Sequence, residues 1–476
     1  MELHFLAGSI LIVLTVHALF VLVRTVTLAF NPDLSKIPGP FLSTFSNIPM
    51  KTAILSGRRT TYIHALHEKY GPYVRIAPSE VAIADLEAYR IIHRVGLDFN
   101  KAPWYQGQVP SQYNDETCGV FGILNNKTAS YRRRLFQTAG TRRIVAEREP
   151  QIHGFSDVMK WWTFMASDVT GSLAFGESFG NTRTGERNEL VRDIESMMPF
   201  VGMRAELPWT KPLMDTIPAW CFGSLNSMWT CVQEYGKDAV RATRAAQQGG
   251  SKTLFSKMML EDETEQMIPD SLIEKEASNI IVAGTDTTAM TLTYLTYAVL
   301  RQEMVKPKLI VEVNAHSERP TWEELEKMPY LNNVIQETMR LYPAIPGSLP
   351  RIVPIGGEKV AKYVIPTGTQ VSTQAWTFQR DPEVFESPLR FLSRFNPDRW
   401  DNATPEMKEH MMVFGGPTRM CLGQNIARLE LLHAVSKLFR ECVNITLDPS
   451  TTEESMEMVD YFAIKPKAAK CLVVRG

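Results

Sequence analysis

The sequence predicts a mainly α-helical body with small β-sheets, preceded by one N-terminal transmembrane helix. Three observations predict it. Apolar residues recur at three- and four-residue spacing through most of the 476 residues, β-like stretches are few and short, and the first 30 residues contain a long uncharged apolar run. Apolar side chains make up 44% of the chain and charged ones 22%, enough to fill a large core and too many apolar groups for a disordered chain. Lys plus Arg total 51 against 52 for Asp plus Glu, so no net field gathers a polyanion and nucleic acid is not an expected partner. The six cysteines are scattered and form no C-x-x-C pair, which argues against a disulfide framework and against a zinc site.

In chain order, the first element is Phe5–Val23, FLAGSILIVLTVHALFVLV, 19 residues without formal charge and long enough as a helix to span a hydrocarbon core. Glu2 precedes it and Arg24 follows it, flanks that suit a retained anchor better than a cleaved signal peptide. Arg24 and Lys36 lie on its C-terminal side, so the positive-inside rule puts the rest of the chain in the cytosol. On that orientation the N-x-T triplets at Asn126, Asn402 and Asn444 are chance matches. Ile37-Pro38-Gly39-Pro40 then makes a stiff, non-helical neck, because each proline fixes φ and removes a donor. No further linker, repeat or charge block divides the chain. The expected organisation is an anchor over residues 1–30, a neck over 31–40 and one domain over 41–476.

Within the body, helical spacing predicts helices over Thr60–Tyr70, Gln151–Phe175, Ser271–Gln302, Glu323–Leu341 and Gln424–Phe439. Strands are expected over Tyr73–Ile76, Glu80–Ala84 and Gln370–Gln374. Ser271-Leu272-Ile273-Glu274 has the pattern of a capping box opening the longest helix, which runs about 45 Å. At its centre Ala283-Gly284-Thr285-Asp286-Thr287-Thr288 combines poor helix formers with hydroxyls that bond back to carbonyls, so a local opening is expected there.

The segment Phe414-Gly415-Gly416-Pro417-Thr418-Arg419-Met420-Cys421-Leu422-Gly423 precedes the last of these helices. A glycine-bearing loop at a helix N-terminus offers backbone N–H groups and the positive dipole end, which favour a thiolate over a thiol. Arg419 adds a fixed cation two residues before Cys421, and Gly423 lets the backbone approach a flat partner. A cysteine ahead of a helix is by itself usually a small buried apolar residue. Here the surrounding pattern decides. It resembles the haem-binding signature of the cytochrome P450 family, F-x-x-G-x-R-x-C-x-G, with Phe414, Arg419, Cys421 and Gly423 in register and Pro417 standing where the family usually has glycine.

Two further patterns resemble the same family. Glu337-Thr338-Met339-Arg340 and Phe395-Asn396-Pro397-Asp398-Arg399-Trp400 match its E-x-x-R and F-x-P-x-R-W elements, which implies that Glu337, Arg340 and Arg399 form a buried triad bracing the haem loop rather than a surface ion pair. Ala283 to Thr288 match its oxygen-activation pattern at every position. The resemblance implies that Ala283 and Gly284 leave room for dioxygen and that Asp286 and Thr287 deliver protons to it. It also implies a haem b (iron protoporphyrin IX) cofactor with Cys421 as the axial iron ligand. Arg419, with Arg133 and Arg351, would pair with the propionates, although Ala129 replaces the aromatic residue of the family's W-x-x-x-R helix.

By the same resemblance the expected activity is insertion of one oxygen atom from O2 into a lipophilic small molecule. Electrons would come from NADPH through NADPH-cytochrome P450 reductase, on the cytosolic face of the endoplasmic reticulum membrane. Substrate contacts are expected around Met197 to Pro218, where Phe200, Val201, Met203 and Trp209 are apolar, and at the turn Ile345 to Leu349. The run from Leu341 to Arg351 resembles fungal microsomal members that act in secondary metabolism. Two other classes compete. A haem-thiolate isomerase, dehydratase or haem-binding sensor would not need the Asp286–Thr287 pair. A hydrolase is suggested by Gly176-Glu177-Ser178-Phe179-Gly180, but the nucleophile elbow needs a preceding strand and the residues before it read as helix.

Overall fold

The computed structural model describes residues 15–16, 19–96, 98–107, 155–207, 225–248, 269–385 and 394–475. Its contacts divide the chain into two units, one from residues 1–102 with 348–374 and the other from 103–347 with 375–476.

The first unit is built on a five-stranded sheet. Tyr73–Ala77 pairs antiparallel with Glu80–Ile83, which runs parallel to Gln370–Ser372, and Arg351–Ile352 and Asn100–Lys101 extend the sheet antiparallel. All five residues of Tyr73–Ala77 are buried, because both faces are covered. Val74 and Ile76 pack with Ala82, Ile63 and Leu66 on one side, and Tyr73 packs with Val81, Ile83 and Val371 on the other. The neck is stitched to this sheet: the Arg75 amide donates to the Pro38 carbonyl at 2.8 Å, and a Cβ on Gly39 would collide with the Arg75 carbonyl oxygen. The stiffness expected from two prolines is therefore reinforced by a backbone bond and by an approach that only glycine permits.

The run Phe5–Val23 lies largely outside the described residues. Residues 19–29 are helical, with Leu19, Phe20, Leu22 and Val23 exposed, and among the described residues no helix is long and apolar enough to cross a membrane.

The second unit is helical. Its long elements are α1 (Val158–Phe175), α2 (Glu189–Glu206), α3 (Leu225–Gln248), α4 (Asp270–Leu300), α5 (Pro329–Leu341) and α6 (Gln424–Glu441). α4 runs through the middle, buried at nearly every residue from Thr288 to Val299. Leu292, Leu295 and Val299 of α4 join Leu331, Val334 and Ile335 of α5 and Leu431, Leu432 and Val435 of α6 in one apolar cluster. α1 lies along α4, with the Trp162 indole donating to the Thr296 hydroxyl at 3.2 Å. A hairpin of Met458–Asp460 and Ile464–Pro466, and a three-stranded sheet of Ser156–Asp157, Leu472–Arg475 and Ile445–Leu447, complete the unit.

Several local expectations change. The helix expected over Glu323–Leu341 is two helices, Trp322–Glu326 and α5, because Met328 is extended and Pro329 starts a new helix at its first turn. α4 begins at Asp270 after Pro269, which puts Ser271 inside the helix where its hydroxyl cannot cap it; the capping box is instead the Thr321–Glu324 pair. α4 is also one unbroken α-helix. Thr287, Thr291, Thr293 and Thr296 bond back to carbonyls four residues earlier, at 2.7 to 2.9 Å, without opening it. Packing along its whole length outweighs the weak propensity of its centre.

Candidate active site

The cysteine loop is closed by its own backbone. The Cys421 amide donates to the Phe414 carbonyl at 2.7 Å, and Phe414 packs against the cluster shared by α4, α5 and α6. Between them Gly415 turns the chain at φ +76°, and Pro417–Arg419 forms one turn of 3-10 helix. Pro417 is the first residue of that turn, a position whose N–H has no partner to reach and whose φ suits proline. The departure at Pro417 thus leaves the loop closed. Gly423 caps α6, and Cys421, two residues earlier, carries an exposed thiol at the positive end of the helix dipole. Cys471, by contrast, is buried beside Asp157, and burial pushes its thiol up to about 12.

The charged residues of the two arginine motifs meet. Glu337 is fully buried and its carboxylate accepts five bonds: from Arg340 Nε at 2.8 Å and Nη2 at 2.9 Å, and from Arg399 Nε, the Trp400 indole and the Asn396 amide at 3.0 Å each. Arg340 also donates to the Gln379 carbonyl at 3.0 Å. Such a carboxylate is tolerated out of water because its oxygens are saturated with donors. The bonds tie α5 to Asn396, Arg399 and Trp400.

On α4, Ala283 is exposed although the helix is otherwise deeply packed, and Thr287, one turn on, bonds its hydroxyl to the Ala283 carbonyl at 2.8 Å. The room assigned jointly to Ala283 and Gly284 falls on the Ala283 side. A Cβ on Gly284 would lie 2.5 Å from the Thr170 hydroxyl, so this glycine serves the close crossing of α1. Asp286 faces elsewhere, into a cavity of about 330 Å³ lined also by Arg192, Glu195 and Lys465. Burial pushes its carboxyl up to about 7; Lys465 pulls it down and Glu195 pushes it further up.

Behind the site Glu430 of α6 lies close to Thr288 of α4, and burial pushes its carboxyl up to about 8. Neither Glu430 nor the cavity residues Glu195 and Lys465 were picked out from the sequence. Glu430 carried a signal, a carboxylate immediately before Leu431 and Leu432 on the apolar face of α6; Glu195 and Lys465, 270 residues apart, carried none.

Arg351 lies in the first unit, buried, with its guanidinium on the Pro350 carbonyl at 3.0 Å. Arg133 and Trp209 lie outside the described residues, as do the side chains of Met197, Phe200, Val201 and Met203. Ser178 is exposed and accepts the Gly180 amide at 3.1 Å, in a turn opened by Gly176 at φ +87° as the C-cap of α1. The strand a nucleophile elbow needs is replaced by helix.

The sequence profile of the Cytochrome P450 family matches residues 37–473. The chain is 32% identical over 479 residues to the cytochrome P450 monooxygenase tazI of Aspergillus terreus, covering 96% of each. It is also 32% identical over 485 residues to the cytochrome P450 monooxygenase stcB of Emericella nidulans, covering 94% of this chain and 90% of that one. Among solved structures, retinoic-acid-bound cyanobacterial CYP120A1 matches the fold with a TM-score of 0.71 at 17% identity, over 92% of this chain and 99% of the other.

Proposed function

Because the chain belongs to the cytochrome P450 family and is a monooxygenase of it, we propose that it inserts one oxygen atom of O2 into a lipophilic small molecule, using electrons from NADPH delivered by NADPH-cytochrome P450 reductase. One observation carries this reading. A single unit brings together an exposed thiol at the N-terminus of α6 and an acid–alcohol pair on α4, two helices that share one apolar cluster.

The residues fit haem b. Cys421 is exposed, a Cβ on Gly423 would meet no atom within 4 Å, and Ala283 is the one exposed residue of α4 between Leu272 and Leu300. Cys421 would ligate the iron, with Arg419 the cation beside it and Phe414 the loop's hold on the core; Arg133 and Arg351 would be the further propionate partners. Bound haem supplies one-electron transfer and dioxygen activation. The chain's own residues do the rest. Glu337, Arg340 and Arg399 hold the polypeptide under the cysteine loop, Ala283 keeps one side of α4 clear, and Asp286 and Thr287 hold and pass the protons. The presence of this pair favours oxygenation over a haem isomerase, dehydratase or sensor.

The fungal sources of the relatives support a substrate from secondary metabolism, of terpenoid, polyketide or alkaloid class. The apolar run Phe5–Val23 and its flanking charges support a single-pass anchor in the endoplasmic reticulum membrane, with residues 1–30 as anchor, 31–40 as neck and 41–476 as one cytosol-facing haem domain. The test is to screen lipophilic metabolites by the Soret shift of the purified holoprotein, then follow turnover with reductase and NADPH. A product one oxygen atom heavier, labelled from 18O2, is expected. An isomerised or dehydrated product formed without NADPH would replace the reading.

A further inference from the structure

The cavity into which Asp286 faces is walled by five segments: the start of α1 at Met159, the first half of α2 at Arg192, Glu195 and Ser196, the Asp286 turn of α4, the hairpin residues from Tyr461 to Lys465, and Ala469 beyond the hairpin. Its volume, about 330 Å³, has room for several waters, and although most of its wall is apolar, Arg192, Glu195, Ser196, Asp286 and Lys465 give them hydrogen-bonding partners. Successive residues of a helix are turned by about 100°, so Asp286 lines this cavity at that angle around α4 from Thr287, its chain neighbour on the Ala283 side.

The charges around it are few and come from two elements. α2 contributes Arg192 and Glu195, the hairpin contributes Lys465, and Met159 of α1 brings no charge. Glu195 is held by Arg187 at 3.1 Å, and Arg187 also stands 3.9 Å from Asp157, the N-cap of α1. Lys465 reaches across, with its Nζ 3.5 Å from the Glu195 carbonyl oxygen. Two cations, Arg192 and Lys465, and one carboxylate, Glu195, thus line the cavity with a half-buried acid that nothing in the described structure pairs directly, and of these Lys465 and Glu195 are the charges that act on it.

We propose that this cavity is the water store from which Asp286 regains its proton, and that Lys465 and Glu195 are opposed positioning residues that set how readily the carboxyl gives the proton up and takes it back. The proposal rests on the reading of Asp286 as a relay acid. In each cycle Asp286 loses one proton toward the Thr287 side and takes one from cavity water, so its charge returns to zero. Lys465 stabilises the carboxylate in between. A lysine acting alone would hold that carboxylate too firmly to be reprotonated near neutral pH, and Glu195 offsets it.

The experiment uses the full-length haem-loaded protein in the resting state, with no reductase or substrate. The carboxylic C=O stretch of Asp286 is isolated by subtracting the infrared spectrum of Asp286→Asn and is titrated from pH 5 to 9. The wild-type midpoint is expected near 7. Lys465→Met raises it and Glu195→Gln lowers it, each by about half a pH unit or more, and Lys465→Arg restores the wild-type value. Coupling of NADPH use to product shifts its pH profile in the same directions. Shifts of the same sign in both neutralising variants, or no shift while the haem spectrum stays native, overturn the proposal. The titration does not depend on turnover, so loss of the monooxygenase reading and loss of this one are seen separately.

Discussion

Glu430→Gln should stabilise the protein at neutral and alkaline pH and leave it nearly unchanged in acid. Glu430 is 4% exposed, lies close to Thr288, and has one carboxyl oxygen without a hydrogen-bond partner. Burial raises its pKa from 4.5 to about 8. Between those two values the folded state keeps a proton that the unfolded state has released, so stability falls as pH rises, by about 1.4 kcal/mol per pH unit. Over the whole window the loss reaches roughly 5 kcal/mol at most, and at pH 7 about 3 kcal/mol. Glutamine has the shape and hydrogen-bonding capacity of the neutral acid but cannot ionise. Guanidinium unfolding followed by tryptophan fluorescence should therefore give Glu430→Gln an advantage of about 4 kcal/mol at pH 8 that shrinks to less than about 1 kcal/mol at pH 5. A difference that does not vary with pH, or a variant weaker at pH 8 than at pH 5, would mean that Glu430 is ionised in the fold and that α4 and α6 meet differently.

Three further outcomes are expected. Thr287→Ala should consume NADPH and oxygen at a rate close to wild type while product falls by about tenfold or more and peroxide rises; unchanged coupling would remove Thr287 from proton transfer. Glu337→Gln leaves Arg340 and Arg399 short of their shared charge and should cost about 3–5 kcal/mol, read as a lower unfolding midpoint and weaker haem retention, whereas wild-type stability would deny the buried triad its structural role. Ser178→Ala, at an exposed turn, should change stability by less than about 0.5 kcal/mol and leave turnover intact; a folded but inactive variant would point back to a hydrolase.

The parts of the site that were legible in the sequence are those made from short stretches of chain. Phe414 to Gly423 forms one closed loop, so its residue types and spacing describe it almost completely, Pro417 included once its position in a 3-10 turn is seen. Glu337 and Arg340 share one helix turn, and a family resemblance was needed only to bring Arg399 to them. The central helix was legible in extent but not in behaviour. Its run of threonines reads as a weak point, yet the Thr287, Thr291, Thr293 and Thr296 hydroxyls are satisfied by carbonyls one turn back and apolar packing holds the helix straight even where the buried Thr285 hydroxyl has no partner. Boundaries failed where tertiary context chose the cap, as at Pro269 and Pro329. The cavity charges were illegible for a different reason. Glu195 and Lys465 look like ordinary surface residues, and only the fold puts them opposite Asp286.

The most direct test of the account is the spectrum of the reduced protein under carbon monoxide. Purified full-length chain loaded with haem should give the strongly red-shifted Soret band of a thiolate-ligated iron, and Cys421→Ser should lose it while keeping its helical circular dichroism. A folded, haem-loaded wild type without that band, or a serine variant that retains it, would contradict the assignment of Cys421 as the iron's ligand.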